Sequence, residues 1–411
     1  DALPILTKLL GFNIPQRWSI AHLWQAILNG EEHTKDIAHL TTLAGYIHHL
    51  LTGEYKMGIG EASGVFPIDS EKLDYNENMV QLFQTEAAAK GMPWKLRDIL
   101  PEIVIAGNAA GILTEEGAAF LDPEGDLKSG IPFAPCEGDA GTGMTATNSV
   151  RARTGNVSAG TSAFAMLVAD HELGVHREIC MVTTPAGLPV AMVHCANCTS
   201  DINAWVNLLA EFAESIGAKI SKNELYTMLF NKALKGDPDC GGLLSFNLFS
   251  GEGVTGVDEG RPLFTRMPNS SFTLANFMRT HLLSALATLK IGMDILTAEE
   301  NIPVDKLYAH GGFFKTPGVG QRILSAAVNA PVSVMETAGE GGPYGMALLA
   351  AYMMQKQKDE TLEDFLDKRV FADAASTTIM ADEIEVAGFD AFLTRYKAAY
   401  SVEKAAIKTL R

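Results

Sequence analysis

Two acidic side chains stand in a stretch of small residues, and this is where the chain first suggests chemistry. The segment PFAPCEGDAGTGMTATNSV covers residues 132–150 and carries Glu137 and Asp139 on either side of Gly138. A short carboxylate among glycines either bonds to its own backbone in a turn or is held bare as a proton acceptor. Asp, with an ordinary pKa of about 3.9, is ionised at neutral pH. The residues alone leave both interpretations of Asp139 open.

Two further stretches combine glycine with small or polar residues directly after a predicted strand. They are Gly160-Thr161-Ser162 and Gly311-Gly312-Phe313. Glycine adopts positive φ and lets a ligand approach the backbone, while turn amides and hydroxyl groups can bind phosphate oxygens. Each stretch taken alone is more simply an ordinary tight turn, since glycine is the commonest turn residue. The spacing and order of the three glycine turns are more specific than any one of them.

Helices and strands alternate around these turns. Apolar residues at helical spacing predict helices, and short apolar runs bounded by glycine or proline predict strands. Helices are predicted over residues 20–28, 36–53, 76–91, 202–217, 224–234, 274–296, 319–331 and 342–354, and strands or hairpins within 103–121, 129–136, 155–170, 187–195, 306–314 and 332–337. Gly53 and Gly91 are expected to close their helices. The alternation predicts an α/β protein.

Length and composition limit the kind of protein this is. The chain has 411 residues, 47% hydrophobic and 20% charged, with a formal net charge of −17. The length predicts two domains, which we place at residues 1–150 and 151–411. The negative charge argues against a nucleic acid or an anionic membrane surface as partner, because both attract Lys and Arg. The apolar run 345–354 is too short to span a bilayer, and no signal-peptide pattern opens the sequence, which favours a cytoplasmic protein.

The cysteines suggest one further hypothesis. Cys195-Ala-Asn-Cys198 follows His194, and a CxxC motif can indicate zinc or redox chemistry. The sequence has no second CxxC and no downstream His pair at finger spacing, and its five cysteines are an odd number. Two packed thiols at a strand-to-helix junction are therefore the favoured interpretation. Asp201 is expected to cap the helix that follows.

The order of the three glycine turns resembles that of the FGGY family of carbohydrate kinases, and segments along nearly the whole chain share the resemblance. CEGDAGTGM (136–144) looks like the family's catalytic turn, VSAGTSAF (157–164) like its second phosphate motif, and AHGGFFKTPGVGQRILSAAVNAPV (309–332) like its adenosine motif. LTGEYKMGIGEASGVFPID (51–69), LSFNLFSGE (244–252) and ETAGEGGPYGMALLAAY (336–352) resemble further family segments. The resemblance implies the actin/Hsp70/hexokinase-like ATPase fold, which is a ribonuclease H-like α/β fold with two domains around a cleft.

The resemblance also implies roles for individual residues. Asp139 would be the catalytic base that accepts the proton of a sugar hydroxyl, and Glu137 a neighbour in the turn. Nucleotide-binding positions are implied at Gly160, Thr161 and Ser162 for the phosphates, and at Gly311, Gly312, Phe313 and Thr316 around the adenosine and α-phosphate. The cofactors would be ATP and Mg²⁺, with no metal ligand assigned. The substrate would be a small sugar, with a ketopentose such as xylulose or ribulose preferred, and family members also form homodimers.

The sequence departs from the family pattern in two places. No counterpart of the family's N-terminal first phosphate loop, a DxGT-type hairpin that supplies an acid for Mg²⁺, is found in this sequence. Thr316 stands where related glycerol kinases carry Asn. A non-catalytic nucleotide-binding protein, or an inactive fragment of the same fold, is therefore the alternative to a kinase. Trp18 is expected in the core, with a position beside the sugar as its alternative.

Overall fold

The computed structural model describes residues 2–335 and 341–410. The helices are α1 Ala2–Leu10, α2 Ser19–Leu28, α3 Leu43–Thr52, α4 Ile59–Ala62, α5 Glu77–Ala89, α6 Leu96–Ile99, α7 Glu115–Leu121, α8 Asp139–Ala146, α9 Ser200–Ser215, α10 Lys222–Ala233, α11 Leu274–Asp294, α12 Val319–Val328, α13 Gly341–Gln355, α14 Leu362–Phe365, α15 Glu383–Ala398 and α16 Tyr400–Thr409. The strands are β1 Lys56–Gly58, β2 Ile68–Asp69, β3 Asp74–Tyr75, β4 Glu102–Val104, β5 Gly111–Ile112, β6 Pro132–Phe133, β7 Thr154–Ala159, β8 Ala163–Val168, β9 Ile179–Thr183, β10 Pro189–Cys195, β11 Leu243–Phe246, β12 Leu263–Arg266, β13 Lys306–His310, β14 Val332–Met335 and β15 Ser376–Ile379.

The chain forms two compact units, each built from three segments. Unit 1 comprises Asp1–Ala152, Leu167–Met192 and Glu340–Ala374, and unit 2 comprises Arg153–Met166, Val193–Gly339 and Ala375–Arg411. The first segment of unit 1 ends two residues beyond the boundary predicted at residue 150. The assignment of 1–150 and 151–411 to the two family domains stays a prediction.

A seven-stranded sheet carries two of the glycine turns. Its strand order is β15-β14-β13-β7-β8-β10-β9. In unit 2, β7 and β13 are parallel neighbours, with Val157 opposite Ala309 and Ser158 opposite His310. Because parallel strands end at the same edge of a sheet, the turns that follow β7 and β13 lie side by side at their carboxyl ends.

Helix α11 is the core helix of unit 2 and is buried along most of its length. The helical stretch Leu274–Glu299 is long and apolar enough to cross a membrane by length and composition, with a window of mean hydropathy 1.2. However, 78% of that window is buried inside the structure, as in the core helix of a soluble protein. The packing thus accounts for its apolar character.

In unit 1, helices α8 and α13 pack closely through small residues. A Cβ atom added at Gly345 of α13 would collide with the backbone carbonyl of Thr142 in α8, and one at Gly342 would stand 3.3 Å from the Thr142 hydroxyl. Glycine at these positions lets the two backbones approach each other. This packing fixes α8, the helix that begins with Asp139.

Several predicted elements are confirmed, and others need correction. The hairpin within 155–170, the strand at 187–195 and the long helices of unit 2 are present, and Gly53 ends α3 with φ of 76°. The helix predicted over 36–53 is wrong in its first half. Helix α3 begins only at Leu43, because the Thr42 hydroxyl accepts from the Gly45 amide and caps a new start.

The stretch 103–121, predicted as β-like, ends in a helix, α7. Thr114 caps this helix by accepting from the Gly117 amide. The strand predicted at 332–337 is observed as β14 up to Met335, and its last two positions lie outside the described residues. Residues 336–340, the first five of the family-like segment 336–352, also lie outside the described residues.

Candidate functional site

Asp139 lies at the first position of a helix and not in a simple glycine turn, which corrects the local prediction. Gly138 is the N-cap of α8, with φ of −76° and ψ of 174°. The Asp139 side chain is exposed and makes no hydrogen bond or ion pair within the described part of the chain. An Asx turn would require its carboxylate to accept a nearby backbone amide. The bare carboxylate therefore disfavours the purely structural interpretation.

Asp139 borders a cavity of about 280 Å³ within unit 1. The wall combines two carboxylates, one guanidinium, hydroxyl groups, an indole and several glycines, and is formed by Arg17, Trp18, Ser19, Thr42, Gly60, Glu61, Gly64, Gly138, Asp139, Ala140, Gly141, Val182, Thr183 and Met192. Ligand sites typically have a partly apolar wall that carries a small number of polar groups, as this cavity does. A small polyol that donates hydroxyl groups to the carboxylates would match this composition.

Glu137 has a structural role beneath this wall. Its side chain is 7% exposed and accepts hydrogen bonds from the amides of Gly60 at 3.2 Å and Glu61 at 2.8 Å. Burial raises the pKa of Glu137 to about 8, against the lowering effect of the two amides. A Cβ atom at Gly58 or Gly60 would collide with its carboxylate. Glu137 thus fastens the 58–61 segment to the segment that leads into α8.

Sequence reasoning missed Arg17 and Glu61 and left Trp18 open. Trp18 is 1% exposed and packs with Phe12 at a ring-centroid distance of 5.8 Å, as expected for a core residue. It also lines the cavity, and its position beside a sugar stays a prediction. Arg17 is the cavity's one cationic lining residue and pairs with no carboxylate in the described part of the chain. Glu61 lies within the LTGE-type segment quoted above, and that segment was the available signal for it.

The Gly160–Ser162 turn joins β7 to β8 in unit 2. The amide of Gly160 donates to the Ser162 carbonyl at 2.9 Å, and Thr161 is exposed. A Cβ atom at Gly160 would meet nothing within 4 Å. The turn therefore presents an open backbone and a free surface, which is what a phosphate group needs.

The Gly311–Phe313 turn is set beside it by the strand register. Gly311 has φ of 103°, and a Cβ atom there would stand 2.5 Å from the Ala159 carbonyl, so glycine is required by close approach to β7. Gly312 is exposed, with open space around it. Phe313 is 1% exposed and its ring packs against Phe230 and Phe314. A nucleotide contact from Phe313 would therefore come from its backbone.

Three residues further along the chain from the second turn are Thr316, Gln321 and Arg322. Thr316 is buried, and Gln321 of α12 donates to the Thr377 carbonyl at 2.9 Å. Arg322 of the same helix is exposed. The glycine backbones at positions 160 and 312 are open, whereas Thr316 is buried, and the nucleotide-binding role of all three stays a prediction.

Residues that could hold Mg²⁺ are few. Within the described residues there is no group of three or more His, Cys, Asp or Glu that could hold a metal ion. Mg²⁺ in phosphoryl-transfer sites usually rests on one or two carboxylates together with phosphate oxygens and water. A protein-only Mg²⁺ cage is thus not available in this part of the chain.

The CxxC segment lies at a strand-to-helix junction, as predicted. Cys195 ends β10, Cys198 precedes α9, and both thiols are free and buried. Burial raises the pKa of the Cys198 thiol to about 12, the opposite of a reactive thiolate. The prediction that Asp201 caps α9 is wrong. Thr199 is the N-cap residue, and Asp201 instead pairs with His281 Nδ1 at 3.1 Å.

The comparisons with known proteins agree with this architecture. Residues 155–354 match the family described as FGGY family of carbohydrate kinases, C-terminal domain. The chain is 22% identical to the xylulose kinase of Haemophilus influenzae over 303 residues, which cover 72% of this chain and 56% of that protein. It therefore spans little more than half the length of this curated relative.

Solved structures show the same fold. The xylulose kinase of Rhodospirillum rubrum has a TM-score of 0.75 at 20% identity, covering 98% of this chain and 75% of that one. The ligand-bound xylulose kinase of Lactobacillus acidophilus has a TM-score of 0.76 at 14% identity, covering 99% and 76%. The Plasmodium falciparum glycerol kinase with ADP has a TM-score of 0.71 at 15% identity, covering 100% and 75%.

These likenesses confirm the predicted α/β fold of the actin/Hsp70/hexokinase-like ATPases. The match over residues 155–354 includes both glycine turns of unit 2. The fold, the motif order and the sequence match over residues 155–354 thus agree in their similarity to the FGGY family of carbohydrate kinases.

Proposed function

We propose that this protein is an ATP-dependent carbohydrate kinase that phosphorylates a hydroxyl group of a small sugar. The observation that carries the proposal is the bare, exposed carboxylate of Asp139 on the wall of the cavity that Arg17 and Glu61 also line. A carboxylate without an internal partner is free to accept a proton from a bound ligand. The open glycine turns of unit 2 are the matching feature for the nucleotide.

Each group has a defined task in this proposal. ATP, when bound, supplies the transferable phosphoryl group. Asp139 accepts the proton of the acceptor hydroxyl as its oxygen becomes bonded to phosphorus, and the bond electrons of the broken P–O bond leave with ADP. The backbones at Gly160 and Gly312 and the hydroxyl of Thr161 hold the nucleotide, and Ser162, Gly311, Phe313 and Thr316 support it. Mg²⁺ would arrive with the phosphates.

A ketopentose, xylulose or ribulose, is the proposed substrate. The support is that a curated relative and several structural neighbours carry the name xylulose kinase. One observation favours a second candidate, an aldonic acid. Arg17 lines the cavity without a carboxylate partner in the described residues and could bind a substrate carboxylate. A gluconate kinase from Lactobacillus acidophilus is also among the neighbours, with a TM-score of 0.73.

The remaining parts of the proposal concern the setting of the enzyme. A cytoplasmic location is consistent with five free cysteines. A homodimer is proposed from the family resemblance. A non-catalytic nucleotide-binding protein is the alternative that the experiment must separate from a kinase.

The test is a coupled ADP-release assay with ATP, Mg²⁺ and a panel of pentuloses, hexoses, polyols and aldonic acids. We expect sugar-dependent ADP release, reduced about 10²- to 10⁴-fold in Asp139→Asn because the general base is lost. Asp98→Asn is the matched control, since Asp98 is also an exposed acid in the first turn of a unit 1 helix. Its activity should equal that of the wild type.

Two outcomes would contradict the proposal. ATP binding without turnover on any member of the panel would leave a nucleotide-binding protein. Turnover that survives in Asp139→Asn would show that Asp139 is not the base. The panel also distinguishes the two substrate classes, because Arg17 can favour an acid over the neutral sugar of the same size.

A further inference from the structure

The segment between β10 and α9 donates hydrogen bonds to the backbone of the turn Gly160–Ser162. We name residues 196–199 the latch loop. The Thr199 amide and hydroxyl both donate to the Gly160 carbonyl, at 3.0 Å and 2.8 Å, and the Cys198 amide donates to the Thr161 carbonyl at 2.9 Å. The amides of Thr161 and Ser162 donate to none of the described residues. The latch loop thus occupies the carbonyls of Gly160 and Thr161 and leaves the amides of Thr161 and Ser162 for an anion.

A buried carboxylate fixes the latch loop in turn. Glu252 is 1% exposed and accepts from the amides of Ala196 at 3.3 Å and Asn197 at 3.2 Å. It also accepts from the Asn197 side-chain amide at 3.2 Å. Burial of a carboxylate is costly unless it is hydrogen-bonded, and burial raises the pKa of Glu252. Its hydrogen bonds to the Ala196 and Asn197 amides offset part of this cost and hold the backbone of the latch loop.

Asn197 joins Glu252 to the rest of the network. Its side-chain oxygen accepts from the amides of Phe249 at 2.9 Å and Ser250 at 3.1 Å. Asn247 donates to the Cys198 carbonyl at 3.0 Å, and Ser284 of the core helix α11 donates to Asn247 at 3.4 Å. The latch loop is therefore connected by side-chain hydrogen bonds to α11, the core helix of unit 2.

We propose that Thr199, Asn197 and Glu252 are positioning residues of the nucleotide site. They hold the latch loop, and the latch loop holds the Gly160–Ser162 turn in the shape that receives phosphate. This inference rests on the proposed function. The inference also gives a role to the segment that contains the CxxC motif. The backbone amides of Cys198 and Thr199 bind the turn, and the thiols of Cys195 and Cys198 are buried packing groups.

The first test compares Thr199→Val with Thr199→Ser. Valine keeps the shape and removes the hydroxyl that donates to Gly160, whereas serine keeps the donor. We expect Thr199→Val to raise the Kd for Mg·ADP and the KM for ATP about fivefold, with the KM for the sugar unchanged. Thr199→Ser should restore wild-type values. Calorimetric titration with Mg·ADP and steady-state kinetics give these numbers.

Thr280→Val is the matched control. Thr280 is buried in α11 of the same unit, and its hydroxyl donates to the Asn276 carbonyl at 2.7 Å and not to the latch loop. Its loss should lower the melting temperature and leave the Kd for Mg·ADP unchanged. A merely structural role of Thr199 would give the same pattern as Thr280→Val, and that result would overturn the inference.

Glu252→Gln provides a second, stronger variant. Both oxygens of Glu252 accept N–H groups, so the glutamine nitrogen must face a donor. We expect the Kd for Mg·ADP to rise about tenfold or more. If this variant does not fold, the comparison of Thr199→Val with Thr199→Ser still tests the inference. If the wild type binds no Mg·ADP, the proposed function fails at that step; if it binds and Thr199→Val binds equally well, only the inference fails.

Discussion

At the scale of single residues, two acids two positions apart have opposite environments. Asp139 is exposed on the cavity wall, while Glu137 is buried and bonded to the amides of Gly60 and Glu61. The exposed acid can exchange a proton with a ligand, and the buried one can only hold backbone. The environment, and not the residue type, separates the two roles.

The buried position of Glu137 predicts a pH dependence of stability. Its pKa is raised from 4.5 to about 8 in the folded protein, so the folded state binds more protons than the unfolded state between these values. Wild-type stability should therefore fall as the pH rises from 5 through 8, by about 1.4 kcal/mol per pH unit at most. Glu137→Gln cannot ionise and should lack this component.

Chemical denaturation of both proteins between pH 5 and 9 measures the difference. Glu116→Gln, a change at an exposed acid in the first turn of α7, is the control and should follow the wild type. A constant difference in unfolding free energy between wild type and Glu137→Gln across this range would show that Glu137 does not titrate there.

At the scale of elements, the contact between α8 and α13 places the candidate base. Gly345 lies against the Thr142 carbonyl, leaving no room for a side chain. Because Asp139 is the first residue of α8, a displacement of this helix moves the carboxylate as well. A shift of about 1 Å can reduce a rate 10²-fold.

Gly345→Val tests this contact. We expect a loss of about 2–4 kcal/mol in unfolding free energy and a lower kcat, because a β-branched side chain would push α13 away from α8. Ala347→Val carries the same side chain at an exposed position of the same helix and should retain both properties. Wild-type stability of Gly345→Val would mean that the two helices separate without cost.

At the scale of the whole molecule, nucleotide binding should be visible as added stability. A ligand that binds only the folded protein adds about 2.7 kcal/mol at a concentration of 100 Kd. We expect Mg·ADP to raise the melting temperature of the wild type and of Asp139→Asn equally, since the proposed base does not hold the nucleotide. Thermal melts with and without Mg·ADP measure this, and Mg·AMP serves as the weaker-binding control. An unequal shift would place Asp139 in the nucleotide site.

Local patterns were sufficient for much of the fold. The hairpin turn at 160–162, the helix α12 and the glycine that ends α3 were predictable because a few neighbouring residues specify each of them. The length and start of α3 were mispredicted, since a capping hydroxyl at Thr42 outweighs a continuous apolar pattern.

The sequence by itself showed the order of the motifs and the resemblance to the FGGY carbohydrate kinases, which implies Asp139 as the candidate base, because motifs consist of residue types at short spacing. Only the tertiary structure decided that Arg17 and Glu61 share a cavity with Asp139, that the Phe313 ring belongs to the core, and that Asp201 pairs with His281 instead of capping a helix. These are contacts between distant segments. Their partners are chosen by packing, and no local pattern of residues contains that information.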